Sequence, residues 1–213
     1  PDPTLERATG FLIPSVRTTS QLSTGVKIPY FFRLGDHKDL TLSPYLSSKT
    51  RTLEYRYRQA FRLGGIEFEG AYTRDDLIPG EDRGYLFGLG SFGLGNDFTL
   101  DFDLKAVSDD AYLADYGLPD LDRLRSQIGL TRVKRDVAFA AALTHFKSLR
   151  DGENDATLPT SVADLYYQQR FFPQGIGGEV RLGLNAHGHN RTSQQDVLGR
   201  DIGRATLDAE WLR

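Results

Sequence analysis

The sequence predicts an all-β fold, an antiparallel up-and-down meander forming part of a large transmembrane β-barrel of the outer-membrane type. Three observations lead there. Apolar and polar residues alternate with a period of two through most of the 213 residues. The alternating runs approach the ~9–11 residues that a tilted strand needs to cross a bilayer. The connections between them alternate between tight turns and long polar loops.

The run Asp97–Val107 shows the period best. Phe98, Leu100, Phe102, Leu104 and Ala106 interleave with Thr99, Asp101, Asp103 and Lys105. Successive side chains of a strand point to opposite faces, so one face is apolar and the other charged. A helix would scatter the two sets around its axis. Earlier in the chain, weaker runs cover Val16–Ser20, Gly25–Phe32, Leu40–Ser47 and Tyr85–Leu94. Between them Leu53, Tyr55 and Tyr57 alternate with Glu54, Arg56 and Arg58, and Ile66, Phe68 and Tyr72 with Glu67, Glu69 and Thr73. Further on, Leu124, Ile128 and Leu130 alternate with Arg125, Gln127 and Thr131, followed by Val137–Phe146, Val162–Phe172, Val180–Asn185 and Ala205–Trp211. That makes about twelve strands. Residues 1–14 are expected to form a linker from a preceding domain, and residues 15–213 the N-terminal portion of the barrel.

Tight turns fall at Gly35–Lys38, Arg62–Gly65, Gly95–Asn96, Lys134–Arg135 and Pro173–Ile176. Long loops fall at Asp75–Arg83, Ser108–Asp120, Arg150–Thr157 and Asn190–Asp201, with Ser48–Thr50 as the exception. A meander puts alternate connections at opposite ends, so one end carries tight turns and the other long loops. Outer-membrane barrels have this asymmetry.

Composition narrows the function classes. The chain has 26 Lys+Arg against 29 Asp+Glu, a net charge of −3, and so no bulk attraction to nucleic acid. No stretch reaches the ~18–20 apolar residues of a helical span. The absence of Cys removes disulfides, thiolate metal sites and a Cys nucleophile. The absence of Met, and a C-terminus inside an alternating run, read as a fragment of a longer chain.

Alternation alone does not say which face meets hydrocarbon, since a soluble β-sandwich also alternates. Long strands, asymmetric loops and aromatics near strand ends (Tyr30-Phe31-Phe32, Tyr72, Tyr85, Tyr166-Tyr167, Phe171-Phe172) favour an apolar side against lipid and a wet interior. Glu54, Arg56, Arg58, Glu67, Glu69, Asp101, Asp103 and Lys105 would then face the lumen. Their mixed signs suit a broad hydrated interior, or one that packs a polar partner, rather than an ion-selective pore.

Other chemistry is thin. His187 and His189 sit on one side of a strand, but no third ligand is evident, so no metal is expected and no cofactor. His145 lies near Thr144 and Ser148, which opens the alternative of a barrel hydrolase acting on lipid or peptide; a passive porin is another. The doublets Asp75-Asp76 and Asp109-Asp110 could hold divalent cations or simply solvate loops. The Gly-rich run Leu86–Gly95 lies inside a strand, where glycine relieves crowding. Pro14, Pro29 and Pro44 stand in the first three strands, where each withholds a ladder donor. Weakened strands at the start of a barrel make a seam that opens sideways, with Pro14, Ser15, Ile28, Pro29 and Tyr30 beside it.

Gly10-Phe11-Leu12-Ile13-Pro14-Ser15, Ile28-Pro29-Tyr30-Phe31-Phe32 and Asp39-Leu40-Thr41-Leu42-Ser43-Pro44 together resemble the start of the barrel in the LptD family. Arg51-Thr52-Leu53-Glu54-Tyr55-Arg56-Tyr57-Arg58 is similar to the family's following strand, and Ser108-Asp109-Asp110-Ala111-Tyr112-Leu113-Ala114-Asp115-Tyr116 to its aspartate–aromatic loop. The family often has Pro-Tyr-Tyr-Trp where this chain has Pro29-Tyr30-Phe31-Phe32. The resemblance implies a periplasmic jellyroll before residue 1 and a location in the outer membrane of a Gram-negative bacterium. It implies lipopolysaccharide delivered by periplasmic Lpt bridge proteins and an LptE-type lipoprotein plug. Acyl chains would leave through a lateral gate at the proline-bearing strands into outer-membrane lipid. On this resemblance the chain is not an enzyme.

Overall fold

The computed structural model describes residues 8–119, 121–150, 152–175, 177–193 and 200–213, and the expected runs are strands. They are β1 (Gly10–Phe11), β2 (Ser15–Thr19), β3 (Ser23–Lys27), β4 (Tyr30–Arg33), β5 (Lys38–Ser47), β6 (Thr50–Phe61), β7 (Gly64–Asp75), β8 (Arg83–Gly93), β9 (Phe98–Val107), β10 (Arg123–Val133), β11 (Val137–Ser148), β12 (Ser161–Phe171), β13 (Glu179–Asn190) and β14 (Ile202–Leu212). One short helix, α1 (Tyr112–Asp115), stands between β9 and β10. From β4 onward each strand neighbours the next in sequence; β1 pairs with β4, β2 with β3, and β3 with β5. The up-and-down antiparallel meander is as expected. Residues 1–7 of the expected linker, residues 194–199 of the Asn190–Asp201 loop, and Asp120, Asp151 and Ile176 lie outside the described residues. Gly10–Phe11, within the span read as linker, pair with Tyr30–Phe31.

The fourteen segments follow the twelve expected paths, because the first two paths are interrupted. Pro29 separates β3 from β4, and Leu12–Pro14 separate β1 from β2. The two breaks lie side by side. Phe11 is opposite Tyr30 and Ser15 is opposite Lys27, so residues 12–14 on one strand face only residues 28–29 on the other. One extra residue against its partner is a β-bulge. At this break the Leu12 N–H donates to the Pro29 carbonyl at 2.9 Å, and the Ile28 N–H to the Pro44 carbonyl at 3.1 Å. The N–H and C=O of a strand residue point to the same side, so each junction lacks the return bond that a non-proline would donate.

The chain forms two compact units, Pro1–Gly90 with Lys105–Asp122, and Ser91–Leu104 with Arg123–Arg213. In the first, register fixes the faces. Asp39, Thr41, Ser43 and Tyr45 of β5 stand opposite Arg58, Arg56, Glu54 and Thr52 of β6, which stand opposite Glu67, Glu69, Ala71 and Thr73 of β7. Exposure along these strands is inverted relative to a water-soluble sheet. Thr52 and Thr73 are 3% and 0% exposed, while Leu46, Leu53 and Tyr72 on the other face are 55%, 42% and 49% exposed. The second unit repeats the pattern at Leu143 (65%) and its neighbour Thr144 (8%). Leu104 is exposed too, so Phe98–Leu104 form no dry centre.

Glycine within the Gly-rich run has the expected steric role. A Cβ on Gly88 would stand 2.6 Å from the ring of Phe68, so the ring of one strand lies across the bare backbone of the next.

Pro29→Val supplies the missing donor to Leu12. Amide exchange at Leu12 is expected to slow about fivefold, the worth of the roughly 1 kcal/mol of one ladder hydrogen bond. Unchanged exchange would show that the break has another cause.

Candidate functional site

Several of the charges expected in the lumen are ion-paired. Arg56 Nε lies 2.6 Å from Glu67 Oε1, one step diagonal to its register partner Glu69. Arg58 grips Asp39 of β5 with two hydrogen bonds of 3.0 and 2.9 Å. Glu54 receives Lys27 from β3, an ion pair that passes across β5. Asp101 and Asp103 share one face of β9 opposite Gly129 and Gln127, and Lys105 continues that alternation. Glu54, Arg56, Arg58 and Glu67 are thus neutralised locally.

The proposed gate residues meet at the proline break. Ser15 is opposite Lys27, and Ile28 is hydrogen-bonded to the Pro44 carbonyl. Tyr30 packs edge-to-face on Phe11 at 4.8 Å between ring centroids and, tilted, against Phe32 at 4.6 Å. Aromatic packing here fills what the ladder lacks.

A third feature carries no period-two signal. Residues 108–118 fold as a strap over the polar face of β6–β8. Tyr112 and Tyr116 of α1 and its C-cap stack at 4.6 Å. Their hydroxyls bond to Thr73 and Thr50, both at 2.8 Å, and Tyr116 also donates to Asp75 at 2.7 Å. Arg83, at the start of β8, anchors the strap. Its side chain is 1% exposed and bonds to Asp75 at 3.0 Å, Asp115 at 2.8 Å, and both oxygens of Asp109 at 2.7 and 2.9 Å. Ser108 closes the near end, exchanging hydrogen bonds with the Gly84 backbone.

The doublet aspartates therefore differ from the cation-site reading. Asp75 and Asp109 converge on the Arg83 guanidinium, whose planar fork satisfies several carboxylates at once. Tyr85, expected in an interfacial girdle, is on the polar side instead, 6.0 Å from the Tyr112 ring. Alternation along β8 puts it there, two residues after Arg83 and on the same face. Arg83 was the residue missed: it sits where an acidic loop ends, and neither spacing nor composition marks it.

The alternative hydrolase pair does not assemble. His145 and Ser148 occupy opposite faces of β11; His145 meets Ser161 at 3.4 Å, and Ser148 donates to Glu153 at 2.7 Å. His187 is held by Asp164 at 2.7 Å, with the His189 ring 5.9 Å away.

Electrostatics bound the strap's working range. Hydrogen bonding to Arg83 holds Asp109 below its ordinary value of 3.8. Burial raises Tyr112 and pushes Tyr116 from 10.0 to about 12. A depressed acid contributes stability above its unfolded value and loses it as pH falls through the folded one. A raised phenol contributes below its unfolded value and loses it as pH rises through the folded one.

Protease cleavage within residues 108–118 is therefore expected to be slow between pH 3.8 and 10.0 and to accelerate outside that window. A cleavage rate flat across both edges would separate the strap from these groups. Arg83→Ala, which leaves buried carboxylates without their cation, is expected to destabilise the strap by about 3–5 kcal/mol. Arg83→Lys keeps the charge without the fork and should recover only part of that loss in the same protease assay.

A match to a family model covers the whole second unit and the strap. A family model described as LptD, LPS transport system D, matches residues 81–213. That span contains Arg83 and the strap, and begins after the proline-bearing strands. LPS-assembly protein LptD of Bordetella pertussis is 40% identical over 114 residues, 52% of this chain and 14% of that protein. The protein of the same name from Alkalilimnicola ehrlichii is 31% identical over 153 residues, 68% of this chain and 20% of its own length. The one from Idiomarina loihiensis is 30% identical over 114 residues. The chain thus spans between a seventh and a fifth of the relatives it matches. With the family model covering well over half of its residues, the chain belongs to the LptD family.

Proposed function

We propose that this chain is the opening portion of a barrel that inserts lipopolysaccharide into the outer leaflet of a Gram-negative outer membrane. The observation that carries the reading is the inverted exposure of its strands. Asp39, Ser43, Thr52, Thr73 and Thr144 are covered on one face, and Leu46, Leu53, Tyr72 and Leu143 are bare on the other. Such a sheet suits hydrocarbon outside and polar matter inside. Membership of the LptD family supplies the substrate, since its relatives are named for LPS assembly.

The physical task is to move an amphiphile whose acyl chains avoid water and whose sugars avoid hydrocarbon. A lumen lined by Glu54, Arg56, Arg58, Glu67, Glu69, Asp101, Asp103 and Lys105 offers the sugars hydrogen-bonding partners. Acyl chains need a lateral route, and the junctions at Pro14, Pro29 and Pro44 are where pairing is weakest. Ser15, Ile28 and Tyr30 would form one wall of that gate, with the other wall on strands outside this chain. The partners in this reading are lipopolysaccharide, periplasmic Lpt bridge proteins, an LptE-type lipoprotein plug and outer-membrane lipid. The work is transport rather than catalysis.

A covalent cross-link between β2 and the last strand of the parent barrel is expected to halt delivery of lipopolysaccharide to the cell surface, read by surface labelling. Delivery at the normal rate with the seam shut would refute the gate.

A further inference from the structure

The strap's far end reaches the first hairpin. Arg17, on the polar side of β2, donates from its guanidinium to the Tyr116 carbonyl. Gly117 beside it holds φ at +55°, and a Cβ there would stand 2.7 Å from Arg17 Nη2. Glycine therefore supplies both the left-handed turn and the room for the guanidinium.

The hairpin that Arg17 belongs to is weakly joined to the sheet. β3 meets β5 over only Gly25↔Ser47, Val26↔Leu46 and Lys27↔Tyr45. Below these pairs is the proline break, with its missing donors. Polar-side ties make up for the short ladder: Lys27 with Glu54, Ser47 Oγ donating to the Leu22 carbonyl at 2.6 Å, and Arg17 with the strap. The strap is itself anchored by a buried arginine on β6–β8, where the β6–β7 ladder runs twelve register pairs from Thr50↔Asp75 to Phe61↔Gly64.

We propose that the 108–118 strap is a latch on the first hairpin: while Arg83 holds the strap on the polar face, Tyr116 presents its carbonyl to Arg17 and keeps β2 and β3 against β5. Departure of the strap frees the hairpin at its least-paired end. This rests on the reading of the first strands as one wall of a seam; on that reading, the long loop sets how readily the seam opens. Arg17 and Arg83 act as positioning residues, and neither is required to touch the transported lipid.

The test is amide exchange in the full-length protein, reconstituted in lipid, with delivery of lipopolysaccharide measured in parallel. Arg17→Ala should speed exchange in β2 and β3 roughly tenfold, the worth of one hydrogen bond to a charged group, with β12 and β13 unchanged. Arg83→Ala should produce the same acceleration in β2 and β3 from a distance. A disulfide between Val26→Cys and Leu46→Cys, register partners in β3 and β5, should cancel both effects. Exchange in β2 and β3 that is equal in Arg17→Ala and the parent overturns the latch, whatever happens to delivery. Faster exchange with delivery unchanged leaves the latch standing and overturns the seam reading instead.

Discussion

A strand that crosses hydrocarbon must pair its backbone N–H and C=O groups with neighbouring strands, because no water is present to take them. That constraint organises this chain. It favours long strands joined in sequence order, so that each ladder is made by adjacent segments. It also makes every proline in the sheet an event, since a missing donor has no solvent to replace it. The three prolines fall in neighbouring strands, and two of their missing donors, at Pro29 and Pro44, lie on successive junctions. Pairing is thereby thinned at one place while the remaining ladders from β5 to β7 and β10 to β14 run nearly full length.

The polar face answers to a different requirement. Charged side chains gathered on one side of a sheet repel or desolvate one another unless they are arranged in opposite pairs. Arg56 with Glu67, Arg58 with Asp39, and Lys27 with Glu54 meet this along the strands. At the loop end the arrangement is denser. One guanidinium serves three carboxylates, and two tyrosines cover the threonines beneath. The buried core of the first unit thus combines Leu22, Tyr45, Ala71, Tyr112, Leu113 and Tyr116 with the threonines of the charged side, while Leu46, Leu53 and Tyr72 of the other face stay exposed.

Under the proposed function these two features answer to one need, since an amphiphile in transit requires both a polar path and a lateral one. The strap lies over the polar face of β6–β8, and the Tyr116 carbonyl accepts a hydrogen bond from Arg17 of the first hairpin. A loop that covers part of a polar surface and touches a weakly paired hairpin joins the two features, with Gly117 as the point where the backbone turns to make the contact.

Strand periodicity, turn placement and the proline positions were all legible without coordinates, because each is a local property: side chains alternate by stereochemistry, and proline lacks its donor wherever it stands. The face assignments of Glu54, Arg56, Arg58, Glu67 and Glu69 relative to one another followed from the same period once register was in place. The bulge at Leu12–Pro14 was not legible, since it depends on two segments being matched residue against residue. Nor was the role of Arg83, whose partners are 8, 26 and 32 residues away. Asp75 and Asp109 read as hydrated loop aspartates until the fold placed a cation between them. Alternation within one strand decides which side of a sheet a residue occupies; only the packed chain decides what lies on top of that side, because the covering segment comes from elsewhere in the sequence.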